Sequence, residues 1–142
     1  MLLIHPTIQA IAILLASFAF LTGLQRFRAF HLKQKVVFPW KRHVLIGRIA
    51  LALLLFGLIL GFAMVRLHWG HNLMTFGHGK MALVIIPFIL YGILSGHALS
   101  RKGHHQAALR ILHGLNNTLL LILLFIQARF GIEVYRLFVV GL

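Results

Sequence analysis

The sequence predicts an all-α fold, an integral membrane four-helix bundle of up-down-up-down topology, and three observations carry that expectation. The 142-residue chain is 61% hydrophobic with a mean hydropathy of +0.96, above the roughly 45–50% apolar content of an ordinary soluble domain. Its apolar residues fall into four long runs, each close to the ~20 residues a helix needs to cross a ~30 Å hydrocarbon core. The basic residues gather in the gaps between those runs. There is no Cys, so neither a disulfide framework nor a thiolate metal site is available.

The first helix is expected at about 4–25. His5-Pro6 opens it, where proline suits a first turn because the N–H it lacks has no helical partner there. Gln25, Arg26 and Arg28 end its apolar run. No basic stretch precedes this run and no clear small-x-small cleavage pattern accompanies it, so it reads as a retained helix rather than a signal peptide. The second helix is expected at about 43–66 after Lys41-Arg42-His43, the third at about 76–99 before Arg101-Lys102, and the fourth at about 109–129. Pro87 lies inside the third and should kink it by removing a backbone hydrogen bond, a defect that neighbouring helices cover in a bundle. Residues 1–129 thus form the bundle. The tail over 130–142, with Tyr135, Arg136 and Phe138, is too short to cross again and suits an interfacial or docking segment.

Fourteen Lys and Arg stand against a single acid, Glu133. Their place between apolar runs, not on an aromatic-interleaved surface, points to lipid headgroups and topology control and away from nucleic acid. Arg26, Arg28, Lys33, Lys35, Lys41, Arg42, Arg48, Arg101, Lys102 and Arg110 belong to the first and third connectors with their helix ends; Arg66, Lys80, Arg129 and Arg136 belong to the other end. The positive-inside rule then places the two basic connectors in the cytoplasm and both termini on the far side, as in a bacterial inner membrane. One carboxylate leaves no pair for acid–base hydrolysis, and Ser17, Ser95 and Thr118 read as helix-packing hydroxyls.

Ten histidines are the informative residues. His31, His68, His71, His104 and His105 fall in connectors, where a solvated loop accounts for them. His5, His43, His78 and His113 occur once per helix, each near its start. One such histidine alone is equally a snorkelling interfacial side chain. The set says more. Successive helices alternate in direction, so His5 and His78 lie near one face and His43 and His113 near the other. The first and third helices of a four-helix bundle are diagonal partners, as are the second and fourth, so each pair can face across the core at its own level. Bis-imidazole ligation of two stacked haems requires that arrangement.

Gly47, one turn after His43, and Gly114, beside His113, leave room for a flat ring. Gly57-x-x-x-Gly61 and Gly92-x-x-x-Gly96 match the small-xxx-small pattern of close helix packing. Arg42, Arg48, Lys80 and Arg110 are candidate partners for haem propionates, with lipid anchoring as the alternative. His97, closing the third helix, is an alternative to His43 or His113, and His68 or His71 to a partner at the other end.

Histidine intervals of 38, 35 and 35 residues over four consecutive helices, with Phe76-Gly77-His78-Gly79 and Lys41-Arg42-His43 around two of them, resemble the four-helix haem core of the cytochrome b561 family. The resemblance runs from His5 to Ala128. It implies a dihaem b-type cytochrome, an oxidoreductase passing electrons across the membrane, with His5 and His78 as one ligand pair and His43 and His113 as the other. Two bis-His haem b groups are the implied cofactors, one haem being the alternative. The larger members have six helices, so the chain is similar to small prokaryotic four-helix relatives. Quinol or a small reductant such as ascorbate is the implied donor, and a redox protein or larger complex the implied partner. A second class of function is a haem-bearing or haem-free anchor subunit of a larger redox complex, docking through the tail or the connector from Leu67 to Thr75. A third is a haem-free carrier or lipid-binding scaffold, whose histidines line an interface or bind Zn or Cu.

Overall fold

The computed structural model describes residues 3–70, 75–102 and 106–141. The described residues form four α-helices, α1 (Ile4–His31), α2 (Trp40–Trp69), α3 (Phe76–Lys102) and α4 (Ala107–Tyr135), and a π-helical turn over Arg136–Val140 continues α4. Each helix is long and apolar enough to cross a membrane, and the chain is a multi-pass integral membrane protein. The all-α four-helix bundle expected from sequence is the observed fold. Neighbours in the chain are neighbours in space: α1 packs most closely on α2 and α3 on α4, with α1 against α4 and α2 against α3 closing the ring.

All four helices overrun the ends read from hydropathy. α1 continues to His31, α2 begins at Trp40 and reaches Trp69, α3 reaches Lys102, and α4 carries on through Tyr135. Charge ends an apolar run but not the i→i−4 hydrogen-bond ladder, and a cation such as Arg28 in the last turn of α1 suits the negative end of the helix dipole. α2 stops where Gly70 adopts φ 74° and donates its N–H to Arg66 O at 3.1 Å, the left-handed cap that a residue without Cβ accepts. α3 runs through Pro87 as a continuous helix.

The tail is the continuation of α4. Its π-helical turn sets Phe138 edge-on against Trp69 at the end of α2, with ring centroids 5.6 Å apart. Glu133 pairs with Arg129 one turn earlier on the same helix, at 2.6 Å.

Each helix carries an inward stripe spaced alternately by four and three residues. The stripes are His5, Gln9, Ala12, Ala16, Ala19, Gly23 on α1; His43, Gly47, Ala50, Leu54, Gly57, Gly61 on α2; His78, Ala82, Ile85, Ile89, Gly92, Gly96 on α3; and His113, Asn117, Leu120, Leu124, Gln127, Gly131 on α4. This is a seven-residue repeat, the spacing that keeps one seam facing the partners along a supercoiled bundle. None of these residues is exposed. Their middle members Ala12, Leu54, Ile85, Ile89, Leu120 and Leu124 make the buried apolar plug at the centre of the bundle. The outward faces carry Leu14, Phe18, Phe56, Ile59, Leu83, Leu94, Leu119 and Phe125 in the open, a surface whose solvent is lipid.

Candidate functional site

Two pairs of histidines face each other across the bundle, one at each end of the central plug. The His5 and His78 rings stand 6.1 Å apart, centroid to centroid, with planes at 85°. The His43 and His113 rings stand 6.4 Å apart at 78°. The diagonal pairing expected from the helix order is the pairing observed.

One device holds all four rings. Each histidine lays the Cε1 edge of its imidazole on a glycine of the helix beside it: His5 on Gly61, His43 on Gly23, His78 on Gly131 and His113 on Gly96. A Cβ on these glycines would stand 2.8, 3.1, 3.2 and 3.4 Å from the respective Cε1 atoms. The packing is reciprocal within each hairpin, because His5 of α1 sits on α2 while His43 of α2 sits on α1, and α3 and α4 repeat the exchange. From His5 to Gly23, His43 to Gly61, His78 to Gly96 and His113 to Gly131 the interval is 18 residues each time, about five full helical turns. Each helix therefore presents a histidine and a glycine on one face. The two histidine levels lie about 27 Å apart along the helices, close to the ~30 Å of a hydrocarbon core.

Hydrogen bonds fix the ring orientations. His5 Nδ1 lies 2.7 Å from Gly57 O, and His43 Nδ1 lies 2.9 Å from Ala19 O and 3.1 Å from Thr22 Oγ1. The accepting carbonyl belongs, in both cases, to the residue one turn before the glycine under the ring. A carbonyl oxygen only accepts, so Nδ1 carries the proton and Nε2 keeps its lone pair, the tautomer of a metal-ligating imidazole. His113 reaches the same state through Ser95. That hydroxyl donates to Tyr91 O at 2.6 Å, leaving its oxygen to accept from His113 Nδ1–H at 2.8 Å. His78 differs. Its Nδ1 is buried and, among the described residues, only this atom and Gln127 Oε1 are buried side-chain polar atoms lacking a hydrogen-bond partner. Gln127 donates to His78 O at 3.0 Å, and its amide nitrogen lies 3.5 Å from His78 Nε2.

The spacing of each pair is what two imidazoles holding one metal ion between them would have. A metal–imidazole nitrogen bond is about 2 Å and the ring centre lies about 1.1 Å behind the nitrogen, so two imidazoles on opposite sides of one ion have centroids roughly 6.3 Å apart. The observed 6.1 and 6.4 Å bracket that value. Among the described residues no group of three or more His, Asp or Glu gathers. The donors come in twos, which suits an ion whose other positions a macrocycle fills, whereas protein-bound zinc takes three or four side chains.

The other expected residues take varied places. Gly47 lies on the inward stripe with open space where its Cβ would point, consistent with room for a flat ring beside His43. Gly114 also meets nothing within 4 Å but lies on the exposed face of α4, so the ring-packing role falls to the four glycines 18 residues after each histidine. Arg48 donates to Ser100 Oγ of α3 at 2.9 Å. Arg42 and Lys80 are exposed. Arg110 sits 5.9 Å from the Phe30 ring centre. His97 is exposed on α3, and His68 bonds Met64 O of its own helix at 3.0 Å while its ring lies by Trp69; neither joins a pair. His71, His104 and His105 lie outside the described residues, as does most of the connector between α2 and α3. Ser95, read as a packing hydroxyl, also serves His113.

No protein-family model matches the chain, and no curated protein and no solved structure matches it.

Proposed function

We propose that this chain is a dihaem b-type membrane cytochrome, similar in kind to the small four-helix members of the cytochrome b561 family, that carries electrons between the two faces of the bilayer. The observation that carries the reading is the pair of facing imidazole couples at 6.1 and 6.4 Å, one toward each end of the bundle. When bound, haem would supply an iron that changes oxidation state, and two histidines holding it would favour electron transfer over oxygen chemistry. The protein's part is orientation and exclusion of water. His5 and His78 would hold one haem and His43 and His113 the other, the Nδ1 bonds of His5, His43 and His113 fixing ring direction and the plug from Ala12 to Leu124 keeping the space between the levels apolar.

Ten of the fourteen basic residues at the end that carries His43 and His113 support a cytoplasmic location for that end, and a bacterial inner membrane with non-cytoplasmic termini. Arg42, Arg48, Lys80 and Arg110 are the basic groups proposed for the propionates. A quinol or small reductant is the proposed donor, and a redox protein, alone or within a larger complex, the partner. The test is a dithionite-reduced minus oxidised absorption spectrum of the purified protein with pyridine-haemochrome and metal quantification. About two haem b per chain with low-spin bis-His bands is the expected result. A folded sample that takes up no haem overturns the reading in favour of a scaffold or carrier.

A further inference from the structure

α2 opens against a ring that belongs to the connector before it. Pro39 caps the helix, its carbonyl accepting from His43 N–H at 3.0 Å, so Phe38 stands one residue outside the cap and His43 is the fourth residue of the helix. Apolar side chains at these two positions staple a helix start, and here the Phe38 ring packs on the His43 imidazole with centroids 5.4 Å apart. Two further contacts hold Phe38. Its carbonyl accepts from Trp40 N–H at 2.9 Å, and the Arg26 guanidinium of α1 lies 5.3 Å from its ring centre. Phe38 also lines an open cavity of about 280 Å³ together with Pro39, Trp40, Lys41 and Arg42. His43 is not part of that lining: the cavity reaches Phe38 and stops there.

We propose that Phe38 is the wall between this cavity and the level of His43 and His113, keeping water from the imidazoles there and thereby raising the potential of the haem that this pair would hold. With Lys41 and Arg42 in its lining, the cavity is a place for water, because a cationic head keeps its hydration shell. The ring borders the cavity and the imidazole at once, so its loss would join the two. The apolar shell around a metal site controls solvent access and local dielectric, and through them the potential. Oxidised iron carries one more positive charge than reduced iron, and water stabilises the more highly charged state, so the drier site has the higher potential. Phe38 touches no reacting atom and acts through His43, as a positioning residue. The wall follows from contacts within this chain, whereas its effect on potential rests on the dihaem reading.

The test compares the purified full chain with Phe38→Ala, Phe38→Leu and, as a control on the same connector, Val37→Ala, whose side chain is 86% exposed. Hydroxyl-radical footprinting read by mass spectrometry reports water at each histidine whatever the haem content, and potentiometric titration reports the haems. The wall predicts that Phe38→Ala raises oxidation of His43 several-fold while His5 and His78 keep their native rates, and that one midpoint potential of two falls. Phe38→Leu, which keeps apolar bulk, should stay near the native values in both readouts, and Val37→Ala should change neither. Native oxidation of His43 in the Phe38→Ala variant overturns the wall. An equal rise at all four paired histidines also overturns it, since the ring then only staples the helix and its loss loosens the bundle. Higher oxidation of His43 with both potentials unmoved overturns the effect on potential. A chain that takes up no haem fails the dihaem reading, while footprinting still decides the wall. Circular dichroism verifies folding, and Phe38→Val carries the comparison should Phe38→Ala not fold.

Discussion

The imidazole of His5 rests on Gly61 so closely that a Cβ there would stand 2.8 Å from His5 Cε1. The opposing atom is part of a ring already tied to Gly57 O at 2.7 Å, so it has no flexible end to withdraw. Gly61→Ala should therefore displace His5, reducing haem to about one per chain. Gly96→Ala should be milder, because its Cβ would meet His113 at 3.4 Å, near ordinary contact. Haem per chain by pyridine haemochrome checks the order; equal losses in the two variants would count against the glycine-seat geometry.

Ser95 accepts the Nδ1–H of His113 and donates its own O–H to Tyr91 O. Removing that acceptor with Ser95→Ala makes the imidazole a weaker base, which destabilises the oxidised iron. One midpoint potential of two should rise, and haem affinity at that pair should fall about 10–100-fold, as for other outer-shell losses. Thr22→Val should do less, because Ala19 O still accepts from His43 at 2.9 Å. Potentiometric titration resolves the two waves.

Leu54 and Ile89 are each only 1% exposed in the plug between the two levels. Truncating either to Ala should cost about 2–5 kcal/mol, the range for large-to-small changes at well-packed sites. Thermal unfolding in detergent should show the loss while the folded fraction keeps its full haem complement. Haem loss without lower stability would mean that the plug does more than pack.

His97 and His68 are exposed and outside both pairs. Replacing either by Ala should leave the reduced-minus-oxidised spectrum unchanged in position and amplitude. A change of axial-ligand signature in the His97→Ala variant would mean that α3 presents a different face to the bundle.

The four helices and their histidines were legible because hydropathy and a once-per-helix ionisable residue are both strong signals in one dimension. Diagonal pairing followed from the alternation of short connectors. The glycine seats were equally present as an interval of 18 residues repeated four times, but they emerge only when each histidine is followed about five turns along its own helix. Gly47 and Gly114 drew attention by standing close in sequence to a histidine, yet the glycines that touch the rings belong to the adjacent helix. Helix ends were misread because Arg and His halt an apolar run while leaving backbone hydrogen bonding intact, so the tail looked separate when Phe130 to Tyr135 continue α4. That Arg26 and Arg110 both come to lie by Phe30 depends on packing between distant parts of the chain, which no local pattern encodes.

The most direct test of the central claim is haem stoichiometry across paired histidine substitutions. If His5 and His78 share one haem and His43 and His113 the other, each single His→Ala variant should keep about one haem, and the His5→Ala with His78→Ala double should lose no more than either single. The His78→Ala with His113→Ala double, which breaks both sites, should bind none. A His5/His78 double variant that loses both haems, or a His78/His113 double that retains one, would contradict the pairing.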